Sequence, residues 1–226
     1  MSFYLWMSGS LWNLSIEECQ ALPSRLGATG LLLWAGAIAA LAAFVPRLIG
    51  AHFFDPPLMN AYAALSFLFA TPAVIEAVCA DAGRRLPANF LWAKVLVSAG
   101  FGWASFLLLL AGRIAAVQLQ YQPPEWLTPG AEVMARLLVV AAGMSLAGAG
   151  LGASVGLHSG SARLAKQVTR TGFLLVFLLS VLTGRQSGGV WRWLFSYGGG
   201  VLAGAVGLAM SWVSAKHTRY SGSFKE

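Results

Sequence analysis

Charged residues inside apolar stretches are the first candidates for chemistry in this sequence. Glu76 stands in "TPAVIEAVCA", four residues after Pro72, and Arg113 stands in "LLLLAGRIAAV". Glu132 and Arg136 are four residues apart, a spacing that favours a pair on one helix face. Because an exposed charge in lipid costs at least ~2.5 kcal/mol, such residues are usually paired or functional. Glu76 is therefore a candidate intramembrane charge, and Arg113 and Arg136 are predicted to reach an interface as anchors.

Two readings of Glu76 stay open, a structural ion pair and a functional role. The predicted ion-pair partners are Arg84, Arg170 or Lys94.

The other reactive residue types indicate no cofactor or metal site. Cys19 and Cys79 form no CxxC pair, and the three histidines lie too far apart for a short metal-ligand motif. No GxxxxGK(S/T) loop is present to hold the phosphates of a nucleotide. We expect no catalytic residue, no metal and no cofactor in this chain, so energy for any active process would come from another protein.

One serine invites an enzymatic interpretation. "GASV", from Gly152 to Val155, resembles the serine motif of rhomboid intramembrane proteases, in which a serine and a histidine on different helices form a dyad. Ser154 would be the nucleophile. No histidine lies inside an apolar stretch, and the His/Asn pattern that stabilises the oxyanion in that family is missing, so this alternative is disfavoured.

The composition is that of an integral membrane protein. Of 226 residues, 58% are hydrophobic and 10% are charged, and the mean hydropathy is +0.69. Soluble domains carry about 25% charged residues. The net charge of +7 is best explained by membrane topology and by contact with anionic lipid headgroups, not by nucleic acid.

Apolar runs bounded by Pro, Gly and charge predict an all-α, polytopic fold with about six transmembrane helices. The predicted spans are 28–49, 58–80, 92–117, 132–157, 168–184 and 191–214. The fifth has an apolar stretch of only about 11 residues, so it is either a crossing or a re-entrant half-helix. The chain then divides into an N-terminal interfacial segment (1–27), a six-helix transmembrane domain (28–214) and a cytoplasmic basic tail (215–226).

Lysines and arginines predict that both termini are cytoplasmic, because positive residues near span ends are retained on that side. Ten fall inside under this orientation and five outside. The inner ones are Arg25, Arg84, Arg85, Lys94, Arg163, Lys166, Arg170, Lys216, Arg219 and Lys225. The outer ones are Arg47, Arg113, Arg136, Arg185 and Arg192.

Small residues at four-residue spacing predict close helix packing. They are Gly148, Gly152 and Gly156 in the fourth span and Gly200 and Gly204 in the sixth. Packing within the chain is favoured over a subunit interface or a sliding surface. Before the first span, Trp12 and Ile16 belong to the predicted apolar side of a helix lying in the headgroup layer, with a disordered leader as the alternative.

The loop after the second span, "DAGRRLPANFLWAK", combines an acidic residue, a glycine, a proline and a lysine in "AK". It resembles the loop of permeases of type-2 ATP-binding-cassette (ABC) exporters, in which such elements bracket a short coupling helix. "GAGLGASVGLHSGSARLAKQVTRTGFLLVFLLSVLTG" is similar to the fourth and fifth spans of that class, and the haem-exporter B subunit of cytochrome c maturation is a relative of similar length. The residues identified for coupling are Asp81, Gly83, Arg84, Arg85, Leu86, Pro87, Phe90 and Lys94.

The resemblance implies a permease that pairs with a second copy or a paralogue in a bacterial inner membrane. ATP and Mg would be bound by a separately encoded ATPase subunit. A short helix starting near Pro87 would present Leu86, Phe90 and Leu91 to a groove on that partner. In the alternative reading, Arg84 and Arg85 only set topology and bind lipid. The competing class is a self-contained secondary transporter or channel subunit, which normally places ionisable groups near the bilayer midplane.

Overall fold

The computed structural model describes residues 2–81, 87–159, 161–171 and 193–220, and these residues are almost entirely helical with no strand among them. The helices used below lie within these described residues, with a π-helical turn (Ala40–Phe44) between the first two. They are α1 (Ser2–Ala39), α2 (Val45–Leu48), α3 (Pro56–Ala80), α4 (Ala88–Tyr121), α5 (Ala131–Ser159), α6 (162–171) and α7 (Tyr197–Tyr220).

Five helices of the described chain are long and apolar enough to cross a membrane. They are Leu11–Leu48, Pro56–Ala80, Ala88–Tyr121, Ala131–Ser159 and Tyr197–Lys216. The expectation of an all-helical fold is thereby confirmed for the described residues, and the five long apolar helices fit an integral membrane protein. The predicted fifth span, 168–184, lies outside the described residues beyond 171.

Gly27 interrupts α1 at the position where the first span is predicted to begin. Its backbone angles, φ 67° and ψ 167°, are not helical and lie in a region open essentially to glycine alone. The part of α1 before Gly27 can therefore leave the axis of the part that follows it.

The helix α4 is longer than predicted at both ends. Its 34 residues span about 51 Å at 1.5 Å per residue, well beyond the ~30 Å of a hydrocarbon core. The chain enters α4 directly from Pro87, whose carbonyl accepts hydrogen bonds from the N–H groups of Phe90 and Leu91 at 3.0 and 3.3 Å. The predicted separate short helix at Pro87 is therefore wrong, because its residues are the first turns of α4.

Helix α5 lies at the centre of the bundle between α3 and α7. Ser66 of α3 donates to the carbonyl of Ala141 at 2.9 Å, and Thr71 donates to that of Gly148 at 3.2 Å. The residue numbers of α3 and α5 therefore increase in the same direction along their contact, so the two helices are parallel.

The pairing of α5 with α7 is parallel for the same reason. The hydroxyl of Tyr197 donates to the carbonyl of Glu132 at 3.2 Å, so both helices start at one end of the bundle. Further along, Gly204 lies against Gly143, and Gly207 lies against Gly150. Ser159, the last residue of α5, and Tyr197, the first of α7, are thus at opposite ends. We call these the Asp81 end, where α3 and α5 finish, and the Phe53 end, where they begin.

Candidate functional site: an ion-pair network at the Asp81 end

Lys94 is the centre of a group of four charged side chains at the Asp81 end of the bundle. Its side chain is 0% exposed, and its ammonium nitrogen lies 2.8 Å from Oδ2 of Asp81 and 2.9 Å from Oε1 of Glu18. Asp81 follows the last turn of α3 and Lys94 lies in the second turn of α4, so their ion pair joins the end of one helix to the start of the next. Lys94 therefore holds both helices and the N-terminal segment at once.

Glu18 reaches this site from the N-terminal part of α1, and its carboxylate also pairs with Arg25. The two residues are seven apart, which is about two helical turns and places them on one face. We call Glu18, Arg25, Asp81 and Lys94 the Lys94 network. It holds two carboxylates and two cations, so its formal charge is balanced.

Charge balance explains how a lysine is buried here. A buried ion pair is a weak source of net stability, yet removal of one partner typically costs about 3–5 kcal/mol because it leaves an uncompensated buried charge. The network thus ties the N-terminal helix to α3 and α4, since Glu18 adds a second carboxylate to the Lys94–Asp81 pair and brings Arg25 with it.

Sequence reasoning missed Glu18 and assigned Arg25 to topology alone. A signal was present: Glu17 and Glu18 are the only acidic residues before the first span, and Arg25 follows Glu18 at i+7. That spacing indicates one helix face, but it does not reveal that the face contacts residues of α3 and α4.

The residues identified for coupling divide into three groups. Asp81 and Lys94 belong to the network, and Pro87 precedes the first turn of α4. Phe90 is 37% exposed, whereas Leu91 is 1% exposed and packs in the core, so Leu91 is not available to a partner and that part of the prediction is wrong. The other four lie outside the described residues: Gly83, Arg84, Arg85 and Leu86.

Glu76 forms an ion pair with Lys166 of α6. The predicted partner Lys94 is instead occupied by Asp81 and Glu18, and Arg84 lies outside the described residues. Burial lowers the pKa of the Lys166 ammonium, and the positive charge of Arg170 lowers that pKa further.

The five predicted packing glycines face neighbouring helices of the same chain. A Cβ atom on Gly148 would lie 2.6 Å from the carbonyl oxygen of Phe67, and one on Gly152 would lie 2.6 Å from Cγ1 of Val74. Gly156 sits beside Val78, so these three face α3. The two glycines of α7 face α5, with Gly200 against Val140 and Gly204 against Gly143. Sequence reasoning missed Gly143, Gly150 and Gly207, which make equally close approaches between α5 and α7.

Arg113 is placed differently from its prediction as an interfacial anchor. Arg113 is 0% exposed. Its guanidinium donates two hydrogen bonds to the carbonyl of Phe53, from Nε at 3.1 Å and from Nη2 at 2.9 Å. Nη1 lies 3.5 Å from the carbonyl of Ala42. The arginine is enclosed by the protein, so the prediction that it extends to an interface is wrong.

The π-turn explains why polar side chains gather at this place. Pro46 has no N–H to offer the carbonyl of Ala42, four residues earlier, so the helical hydrogen-bond ladder is broken there. Side chains satisfy the freed carbonyls: Tyr62 donates to Leu41, Arg113 to Ala42 and Gln120 to Ala43. Within lipid, interrupted backbone is tolerated when neighbouring helices supply such partners.

The serine identified by its likeness to rhomboid proteases has no catalytic partner in the described chain. Nδ1 of His158 lies 2.7 Å from the backbone carbonyl of Ser154, and both residues belong to α5. A dyad between different helices is not formed by this pair.

No group of three or more potential metal ligands occurs among the described residues. Comparison with families of known proteins, with curated proteins and with solved structures gives no match.

Proposed function

We propose that this chain is the membrane-spanning permease subunit of a type-2 ABC exporter. Two permease chains would form the translocation path, and two copies of an ATPase chain would bind ATP and Mg and drive it. The bacterial inner membrane is the corresponding location, with both termini in the cytoplasm.

The observation that carries this proposal is the Lys94 network. The loop that resembles a coupling loop begins at Asp81 and leads into α4, and Lys94 ties both of its ends to Glu18. A push on this loop would therefore move α3, α4 and the N-terminal helix as one unit, rather than bending a single helix. Phe90 lies at this same end and is 37% exposed, so its ring is accessible for an apolar contact with a partner.

The topology proposed for such a permease has six crossings. Five are formed by described helices, and the parallel course of α5 and α7 supports one more between them. The chain leaves α5 at the Asp81 end and enters α7 at the Phe53 end, and this placement of the two described helix ends is what supports the proposed sixth crossing. The excess of positive residues at the Asp81 end supports its assignment to the cytoplasm.

A second candidate function, a self-contained secondary transporter, has one observation in its favour. Arg113 is buried beside an interrupted helix, and transporters commonly bind substrates where a broken helix meets a charged side chain. Here the guanidinium is occupied by backbone carbonyls at the Phe53 end, so the permease proposal is preferred.

The distinguishing experiment is reconstitution of the full chain in liposomes, alone and with a candidate phosphate-loop ATPase sought among the adjacent genes. We expect no ATP hydrolysis from the chain alone and a two-plus-two complex with the ATPase. Transport by the chain without ATP would contradict the permease proposal and support the secondary transporter.

A further inference from the structure

Two adjoining cavities lie between α3 and α6, and together we call them the α3–α6 groove. The first has a volume of about 270 Å³, and the second about 570 Å³. Lys166 and Arg170 line both. The volumes fall within or near the range of 300–1,000 Å³ that is common for sites that bind small molecules.

The second cavity is cationic. Arg163, Lys166 and Arg170 follow one another at three- and four-residue spacing, which places them on one face of α6. Glu76 is the acidic residue that lines the cavity, and it pairs with Lys166. Among the described residues neither Arg163 nor Arg170 forms an ion pair, so an anion that enters would meet two guanidinium groups free of carboxylates.

The first cavity is mainly apolar and continues the second along α3. Leu68 and Pro72 line it, and they precede Glu76 by eight and four residues. At 1.5 Å per residue, Leu68 is about 12 Å further along the helix from Glu76, toward the interior of the bundle. The lining of the groove thus changes from charged to apolar over this distance. A phospholipid changes from its charged headgroup to its apolar acyl chain over a comparable distance.

We infer that the α3–α6 groove binds an anionic phospholipid, with the phosphate between Arg163 and Arg170 and an acyl chain along Leu68 and Pro72. Guanidinium groups match phosphate oxygens in a bidentate geometry. In a zwitterionic lipid such as phosphatidylcholine the same phosphate is joined to a choline cation, which the two arginines would repel, so an anionic phospholipid is favoured. Gln167 and Thr171 supply further hydrogen-bonding groups beside the two arginines. This site is independent of whether the chain works as an ABC permease.

The test measures retention of phosphatidylglycerol and phosphatidylcholine by the purified full chain, using native mass spectrometry in detergent with defined lipid. Arg170→Gln and Arg163→Gln should each weaken phosphatidylglycerol binding about fivefold, the factor that corresponds to ~1 kcal/mol per basic residue near anionic lipid. Arg170→Lys keeps the charge but loses the bidentate guanidinium, so its binding of phosphatidylglycerol should lie between that of the unmodified chain and that of Arg170→Gln.

Lys216→Gln is the matched control, because it removes one positive charge from α7 near the same end of the bundle, where the ammonium lies 3.7 Å over the Trp212 ring. It should leave phosphatidylglycerol binding nearly unchanged. An equal loss of phosphatidylglycerol binding in Lys216→Gln and Arg170→Gln would mean that the lipid is attracted to the positive surface in general. That result would overturn the proposed site.

The apolar half of the groove has its own variant. Leu68→Trp should fill the first cavity and reduce retention of the diacyl lipid, with the helix content checked by circular dichroism. Inorganic phosphate, at the same concentration as the headgroup, should not displace the lipid. Displacement by phosphate alone, or equal retention of the two lipids by the unmodified chain, would contradict an anionic phospholipid site.

Discussion

Lys94 and Glu18 are 76 residues apart in the sequence, and their side chains form a buried ion pair with 2.9 Å between nitrogen and oxygen. The pair connects the N-terminal segment to the second turn of α4, at the place where the loop from α3 arrives. The N-terminal helix is therefore joined to the bundle by a buried ion pair.

Removal of Lys94 should destabilise the protein more than removal of any exposed lysine. Lys94→Met leaves the carboxylates of Glu18 and Asp81 without their shared cation, and we expect a loss of about 3–5 kcal/mol in the free energy of unfolding. Denaturant unfolding in detergent measures this, with Lys216→Met as the control. In a double-mutant cycle with Glu18→Gln, a coupling below about 0.5 kcal/mol would argue against a direct interaction.

Arg113 should stabilise the π-turn at the other end of the bundle. Arg113→Met leaves carbonyls of Phe53 and Ala42 without these donors, at a cost of about 1–3 kcal/mol for a buried acceptor. We expect faster amide hydrogen exchange in residues 40–48 of this variant. Arg47→Met, exposed at the same end, should leave exchange there unchanged, and equal effects of both variants would contradict the assignment.

Glycines at helix crossings should tolerate no methyl group, whereas an exposed helical glycine should. Gly148→Ala places its Cβ 2.6 Å from the Phe67 carbonyl oxygen, so we expect about 1–3 kcal/mol of destabilisation from overpacking. Nothing lies within 4 Å of a Cβ at Gly100, so Gly100→Ala should stabilise α4 by about 0.5–1 kcal/mol. Thermal unfolding of both variants compares them, and similar melting temperatures would refute the close packing of α3 on α5.

The orientation follows from the charge asymmetry and is accessible to labelling. In a chain lacking Cys19 and Cys79, cysteines at Ser159 and Ser223 should react from the cytoplasmic side and one at Gln122 from the outside. Reaction of the Ser159 and Gln122 positions from the same side would rule out this topology.

The sequence predicts the positions of the helices well. It does not predict which residues pair with the charged side chains on those helices. Long apolar runs predict α3, α4 and α5 because a bilayer needs about 20 such residues, and the spacing of Gly148 and Gly152 points to a close helix contact. The sequence also indicates that a charge such as Lys94 or Arg113 needs compensation.

Which group supplies that compensation depends on contacts distant in the chain. Glu18 lies before the first predicted span, on a segment whose contact with the bundle no sequence pattern reveals. The carbonyls that receive Arg113 belong to Ala42, which Pro46 leaves without a helical donor, and to Phe53 in the turn before α3. The same limit applies to Phe90 and Leu91, which are neighbours of similar hydrophobicity. They differ because they lie on different faces of α4: Phe90 is on an exposed face, and Leu91 is on the face that packs in the core.

We propose that the Asp81 end receives force from an ATPase, and Phe90→Ala tests this proposal most directly. Phe90 is 37% exposed at that end, and an apolar anchor in a partner groove is commonly worth ~2 kcal/mol or more. Leu108→Ala is the matched control, because Leu108 is 50% exposed and lies on the same face of α4, five turns further along.

The measurement is the affinity of each variant for the ATPase that co-purifies with the unmodified chain, together with the hydrolysis rate of the complex in liposomes. We predict that Phe90→Ala inserts and dimerises normally, yet binds the ATPase at least about 30-fold more weakly, the factor that corresponds to ~2 kcal/mol, while Leu108→Ala matches the unmodified chain. Unchanged affinity and hydrolysis in Phe90→Ala would contradict the account.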